Sequence, residues 1–238
     1  MAKTSGLGDN AYVDGFDLSG DIQGLDSIHG GPAALDFTTI DRSAMERQGG
    51  IRDGGISFTS FFNADRAHPV LDDLPTIDRL VTYLRGTAAG SPAACCIGKQ
   101  IGYDPTRADD GALTLKTEAQ ANQFGLEWGV QIDGGKRTDT AATDGDGLDQ
   151  AAQTTFGAQA YLHVFSFTGT SCTVSIEDSA DDSTYAALID FTAATGPTSE
   201  RKAVTGTVDR YVRVSTSGTF TECTFAVVFV RNQVAVKF

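Results

Sequence analysis

The chain has 238 residues with 31 acidic and 18 basic side chains, a formal net charge of −13. That length buries enough apolar surface for one large domain or two small ones without staples, and that charge excludes gripping a polyphosphate, since nucleic-acid affinity comes from Lys and Arg displacing condensed counterions. The opening Met1-Ala2-Lys3-Thr4-Ser5-Gly6 lacks the apolar core of a secretory signal, and no apolar run nears the roughly 18–20 residues of a membrane span, so a soluble product made in the cytoplasm is expected.

Along the chain, Asn10-Ala11-Tyr12-Val13-Asp14-Gly15-Phe16-Asp17-Leu18 sets Asp-Gly between apolar residues, the signal of a two-residue hairpin. Residues 38–55 are polar and long for a connection, yet Ile40, Met45 and Ile51 are spaced through them; an ordered, functional loop is expected rather than a disordered one. Ile56-Ser57-Phe58-Thr59-Ser60-Phe61-Phe62 alternates as a half-buried strand does. His68-Pro69-Val70-Leu71-Asp72-Asp73-Leu74 predicts a two-turn helix with Pro near its start and Pro75 at its end. Further strands are expected over residues 80–84, 94–101 and 112–119. In the last of these Leu113, Leu115, Thr117 and Ala119 share one face and Thr114, Lys116, Glu118 and Gln120 the hydrated other. Trp128, the single tryptophan, is expected to anchor the core.

Residues 138–152 are small, polar and acidic, and are expected to form a linker, because such residues bury too little apolar area to offset their ordering entropy. The expected division is therefore a first domain over 1–137, the acidic linker over 138–152 and a second domain over 153–238. Net charge divides as −7 (12 basic, 19 acidic), −4 (no basic, four acidic) and −2 (six basic, eight acidic). The last segment reads as a small antiparallel β-sandwich: strands are expected at residues 161–167, 172–176, 211–214 and 225–230. The fold class is mainly β, with one short helix.

Chemistry has little to stand on. His29 lies in His-Gly-Gly-Pro with no Gly-x-Ser-x-Gly elbow to accompany it. His68 borders the helix, and His163 alternates with apolar residues as a structural ring. No metal, cofactor or catalytic site is expected, and no paired carboxylates lie in an organised setting. Asp139, Asp144, Asp146 and Asp149 offer hard oxygens, but the register of a calcium loop is absent. The four cysteines form no C-x-x-C pair. Cys172 and Cys223 fall on apolar strand faces, which leaves buried free thiols or a Cys172–Cys223 bridge, the former favoured in a reducing site of synthesis.

The first domain resembles the major tail (tail tube) proteins of long-tailed phages with flexible, non-contractile tails, the siphovirus type. The resemblance is carried by Leu7-Gly8-Asp9-Asn10-Ala11-Tyr12-Val13-Asp14-Gly15-Phe16-Asp17-Leu18-Ser19-Gly20-Asp21-Ile22, by the loop at 38–55 leading into 56–62, by Ala67-His68-Pro69-Val70-Leu71 with Leu74-Pro75, and by Tyr103-Asp104-Pro105-Thr106-Arg107-Ala108-Asp109-Asp110-Gly111. It implies a β-sandwich or barrel with one short helix that self-assembles into stacked rings, usually of six, a virion conduit through which DNA passes without specific binding. It also implies an inter-ring stacking loop, which here would use Thr39, Ile40, Met45 and Ile51. The other partners would be tail proteins of the tape-measure, tail-terminator and distal-tail kinds. Lys116 and Glu118, on a polar strand face, are candidates to face the lumen. Through Val174-Ser175-Ile176-Glu177-Asp178-Ser179 before a turn and Arg210-Tyr211-Val212-Arg213-Val214 near its end, the second domain is similar to galactose-binding-like jelly rolls, which would make it an exterior decoration. The rival function is a carbohydrate-binding or adhesion protein acting on host glycans through that sandwich, with Tyr161, Tyr185 and Tyr211 as the available platforms.

Overall fold

The computed structural model describes residues 5–72 and 77–236, and the chain is mainly β, with fourteen strands and one short helix among the described residues. In chain order these are β1 (Asn10–Val13), β2 (Phe16–Asp17), β3 (Ile22–Asp36), β4 (Arg47–Phe61), α1 (Ala67–Leu71), β5 (Asp78–Leu84), β6 (Pro92–Arg107), β7 (Leu113–Ala121), β8 (Glu127–Gln131), β9 (Arg137–Asp139), β10 (Leu148–Asp149), β11 (Ala158–Ser179), β12 (Ala186–Asp190), β13 (Thr198–Val204) and β14 (Tyr211–Arg231). The predicted hairpin at Asp14-Gly15 forms as β1–β2, with both turn residues at positive φ (48° and 81°) and Val13 paired to Phe16.

The chain makes two compact units: residues 1–20, 82–95 and 128–238 form one, and residues 21–81 and 96–127 the other. These bounds differ from the expected division at 137 and 153. The first hairpin and parts of β5, β6 and β8 belong with the C-terminal sandwich.

The first unit is organised by two very long strands, β11 and β14, paired antiparallel from Ala158↔Arg231 to Ser179↔Tyr211. Their ladder is irregular around Gly169, between Thr168 and Ser171. On either side of this corner the inward residues, Leu162, Val164, Phe225 and Val227 on one and Val174, Ile176, Val212 and Val214 on the other, join a single apolar cluster. One hairpin thus folds over into both layers of a sandwich. Strand β13 adds to β11 near its start and β12 near its end.

The acidic segment 138–152 is built into this sandwich, contrary to its expected role as a linker. β9 and β10 both pair with β14, and Asp144 bridges to Ser215. Its acids are used as anchors: Asp139 takes a bidentate ion pair from Arg137, Asp144 pairs with Arg213, and Asp149 with Arg210. Leu148 is its one large apolar anchor, packed against the apolar cluster, and ion pairs supply the rest.

The second unit is an antiparallel sheet in the order β3-β4-β7-β6. Its covered face carries Ile56, Phe58, Leu115, Thr117 and Ala119, all buried. Helix α1 lies against this sheet: Gln100 donates from Nε2 to the Leu71 carbonyl, and the His68 ring hydrogen-bonds the Tyr103 hydroxyl. The helix holds Ala67, Val70 and Leu71 buried, as a helix too short to persist alone must. It is shorter than the 68–74 expected; Leu74 and Pro75 lie outside the described residues.

Candidate assembly surface

Residues 38–55, expected to form a loop, are strand over their second half, from Arg47 onward. β3 and β4 pair from Ile22↔Ser60 out to Asp36↔Arg47, so only about ten residues turn the chain around at the tip. The tip is ordered by its own polar groups. The Phe37 amide donates to the Glu46 carbonyl (2.9 Å), the Glu46 amide to Thr38 Oγ1 (2.9 Å), and Arg42 pairs with Glu46 (3.1 Å). Thr39 donates its hydroxyl to Asp41, so its side chain serves the turn.

At the base of this arm the sheet grips tightly. A Cβ on Gly54 would sit 2.6 Å from Leu126 Cβ and 2.9 Å from the His29 carbonyl oxygen, so this position needs glycine. Further out, every residue from 29 to 49 is exposed. Ile40 is wholly solvent-facing (108%), Ile51 is 87% exposed and Met45 57%. Leu35 and Phe37, which the sequence reading passed over, are exposed with them. Period-2 alternation looks for one covered face; here neither face is covered by the chain itself. From Asp36 to Asp53 the arm carries Arg42, Arg47 and Arg52 against Asp36, Asp41, Glu46 and Asp53, near neutrality on a chain of −13.

Lys116 and Glu118 fall on the polar face of the four-stranded sheet. Lys116 stands between Thr59 on β4 and Asp104 on β6, and Glu118 between Ser57 and Gly102. Asp26 of β3 extends this row, 3.9 Å from Lys116 Nζ and 3.1 Å from Thr59 Oγ1. The row therefore interleaves acids and a base among hydroxyls, and Lys116 keeps 61% of its side chain in solvent. β3 pairs only with β4, so its other edge is open among the described residues.

The tyrosines available to a glycan are largely occupied. Tyr161 is fully buried; Tyr185 is covered by the Arg213 guanidinium at 4.2 Å and Tyr211 by that of Arg210 at 5.0 Å. Trp128 is 53% exposed, contrary to its expected place in the core. Its strand neighbours Glu127 and Gln131 are the buried ones.

The histidines play structural parts. His163 is buried, accepts the Gly15 amide on Nδ1 and meets the Thr82 hydroxyl at Nε2 (2.9 Å). Burial brings its pKa down to about 3, so the ring is neutral. Tyr12 packs edge-on against it and against Phe165. Among the described residues no group of three or more His, Cys, Asp or Glu is arranged to hold a metal ion, and no helix is long and apolar enough to cross a membrane.

No protein-family model matches the chain, and no curated protein matches it. Among solved structures it is similar to the crystal structure of SPP1 Dit (gp 19.1), described as a paradigm of the hub adsorption apparatus in phages infecting Gram-positive bacteria. The TM-score is 0.33 and the identity 14%, over 94% of this chain and 99% of that one. A similarity of that size carries no argument on its own.

Proposed function

We propose that this chain is a structural protein of a phage tail that assembles with copies of itself into stacked rings, the tube through which the genome passes. The observation that carries the reading is the β3–β4 arm. An ordered hairpin with Leu35, Phe37, Ile40, Met45 and Ile51 all in solvent gains nothing from that arrangement in an isolated chain, and so many large apolar side chains exposed on one arm call for a covering partner. A second copy fits, since β3 leaves an open strand edge that another copy can complete and the near-neutral arm approaches a strongly acidic chain without strong repulsion.

The open edge of β3 supplies the lateral contact: ring closure by strand addition leaves no edge exposed. The polar row of Asp26, Asp104, Lys116 and Glu118 suits a lumen that DNA must traverse without adsorbing. Hexameric rings, a virion location and contacts with tape-measure, terminator and distal-tail proteins belong to the same proposal, as does a role without catalysis. The rival carbohydrate-binding reading loses its stacking platforms to burial and to arginine.

Electron microscopy and sedimentation velocity of the purified chain over a wide concentration range test the proposal. Stacked rings or ring-sized species support it, whereas a monomer at every concentration, together with its absence from the tail of the particles, overturns it.

A further inference from the structure

Cys172 and Cys223 meet inside the sandwich of the first unit. They are 51 positions apart, and the strand register puts them on opposite sides of the β11–β14 corner, Cys172 opposite Gly218 and Cys223 opposite Phe167. Both are free, fully buried and members of the same apolar cluster. Their thiols hydrogen-bond each other. The other two cysteines, Cys95 and Cys96, are adjacent along one strand and so point to opposite faces.

We propose that Cys172 and Cys223 are a latent disulfide, a thiol pair that closes into a covalent staple across the sandwich corner when a low-molecular-weight disulfide is available as oxidant. This site is independent of the tail-tube reading. Thiols already in contact need little backbone movement to reach bonding geometry.

The Cys223 S–H donates to Cys172, which lowers the Cys172 pKa, and the same contact raises that of Cys223. Either thiol can supply the first thiolate, the steps being the same with the two exchanged. Starting from Cys172, the thiolate attacks one sulfur of the oxidant, forming a mixed disulfide and expelling one small thiolate. Cys223 then loses its proton and attacks the Cys172 sulfur, forming the Cys172–Cys223 bond and expelling the second small thiolate. The two protons end on the two released thiols; the cysteines lose two electrons and the small disulfide gains them. Both thiols are fully buried, so the oxidant reaches them when the sandwich opens locally.

The test uses the full chain, incubated with oxidised or with reduced glutathione, then alkylated in denaturant and weighed intact. The expected result is four alkyl groups on the reduced protein and two on the oxidised one, given four cysteines in all. Tryptic digestion of the oxidised form is expected to link peptide 138–201 to peptide 214–231. Closing a loop of this length is expected to raise Tm by about 10 °C. A Cys172→Ala variant is expected to keep three alkylatable thiols under both conditions. Four alkyl groups after oxidation, or a bridge that includes Cys95 or Cys96, overturns the proposal.

Discussion

The backbone N–H of Gly15 donates to Nδ1 of His163 across 3.2 Å and 148 residues of sequence. That bond fixes the tautomer: Nδ1 accepts, so Nε2 carries the proton and donates to Thr82 Oγ1, whose own hydroxyl points to the Cys95 sulfur at 3.6 Å. A second ring proton would face the Gly15 amide proton with no acceptor available, inside a cage of Tyr12 and Phe165.

Acid sensitivity follows from that arrangement. The folded-state pKa of His163, about 3, lies below its ordinary value of 6.5, so below pH 6.5 the unfolded chain binds a proton that the folded chain refuses. Stability contributed by the neutral ring is whole above pH 6.5 and declines as pH falls toward 3. At pH 5 the loss is on the order of 2 kcal/mol. Urea melts of the wild type and of His163→Gln at pH 7 and pH 5 measure it: the variant is weaker at pH 7 but loses less on acidification.

The ion pairs that pin residues 138–152 differ in worth. Arg137 and Asp139 form a two-pronged pair whose side chains are 15% and 5% exposed, and Arg137 also donates to the Val214 carbonyl. Arg137→Ala leaves a buried carboxylate uncompensated and is expected to cost about 3 kcal/mol. Arg210 and Asp149 pair at least as closely but stand 45% and 46% exposed; Arg210→Ala is expected to leave stability nearly unchanged. Thermal melts in low and high salt separate the two, since only the second effect fades with screening.

Two glycines with positive φ separate conformational strain from steric contact. Gly206 (φ +96°) has open space around a notional Cβ, whereas at Gly218 (φ +119°) that atom would lie 2.4 Å from the Ser171 carbonyl oxygen on the paired strand. Gly206→Ala is expected to cost about 1 kcal/mol, the strain alone. Gly218→Ala is expected to cost at least about twice that, because the β11–β14 corner must shift. Equal melting temperatures for the two variants would contradict this account of the corner.

Much of this architecture was legible from residue order, and the exceptions share a cause. The Asp14-Gly15 hairpin and the alternation at 161–167, 172–176 and 225–230 specify local geometry, and each forms where expected. Residues 38–55 and 138–152 depart from expectation because composition reports what a segment can bury, not what it can pair with. The first extends a strand ladder into solvent, and the second is held by arginines distant in sequence. Trp128 was misread for a related reason: the faces of a five-residue strand depend on which neighbours flank it. The regrouping of residues 1–20 and 82–95 with the C-terminal sandwich rests on contacts such as Gly15 to His163, and no local pattern announces a partner 148 residues away.

The apolar arm gives the sharpest test of assembly. Ile40 and Ile51 are 108% and 87% exposed, so their replacement removes no contact within the chain, and the double variant Ile40→Asp/Ile51→Asp is expected to melt within about 2 °C of the wild type. The same two carboxylates would have to be desolvated where a second copy covers the arm, a cost of several kcal/mol per stacked pair. The near-neutral balance of residues 36–53 would also be lost, because two more acids turn three arginines against four acids into three against six. The expected outcome is a protein of unchanged circular dichroism that sediments as single chains or unstacked rings under conditions where the wild type forms long species. Wild-type-like stacking by this variant would remove the arm from the interface and with it the main support for a tube.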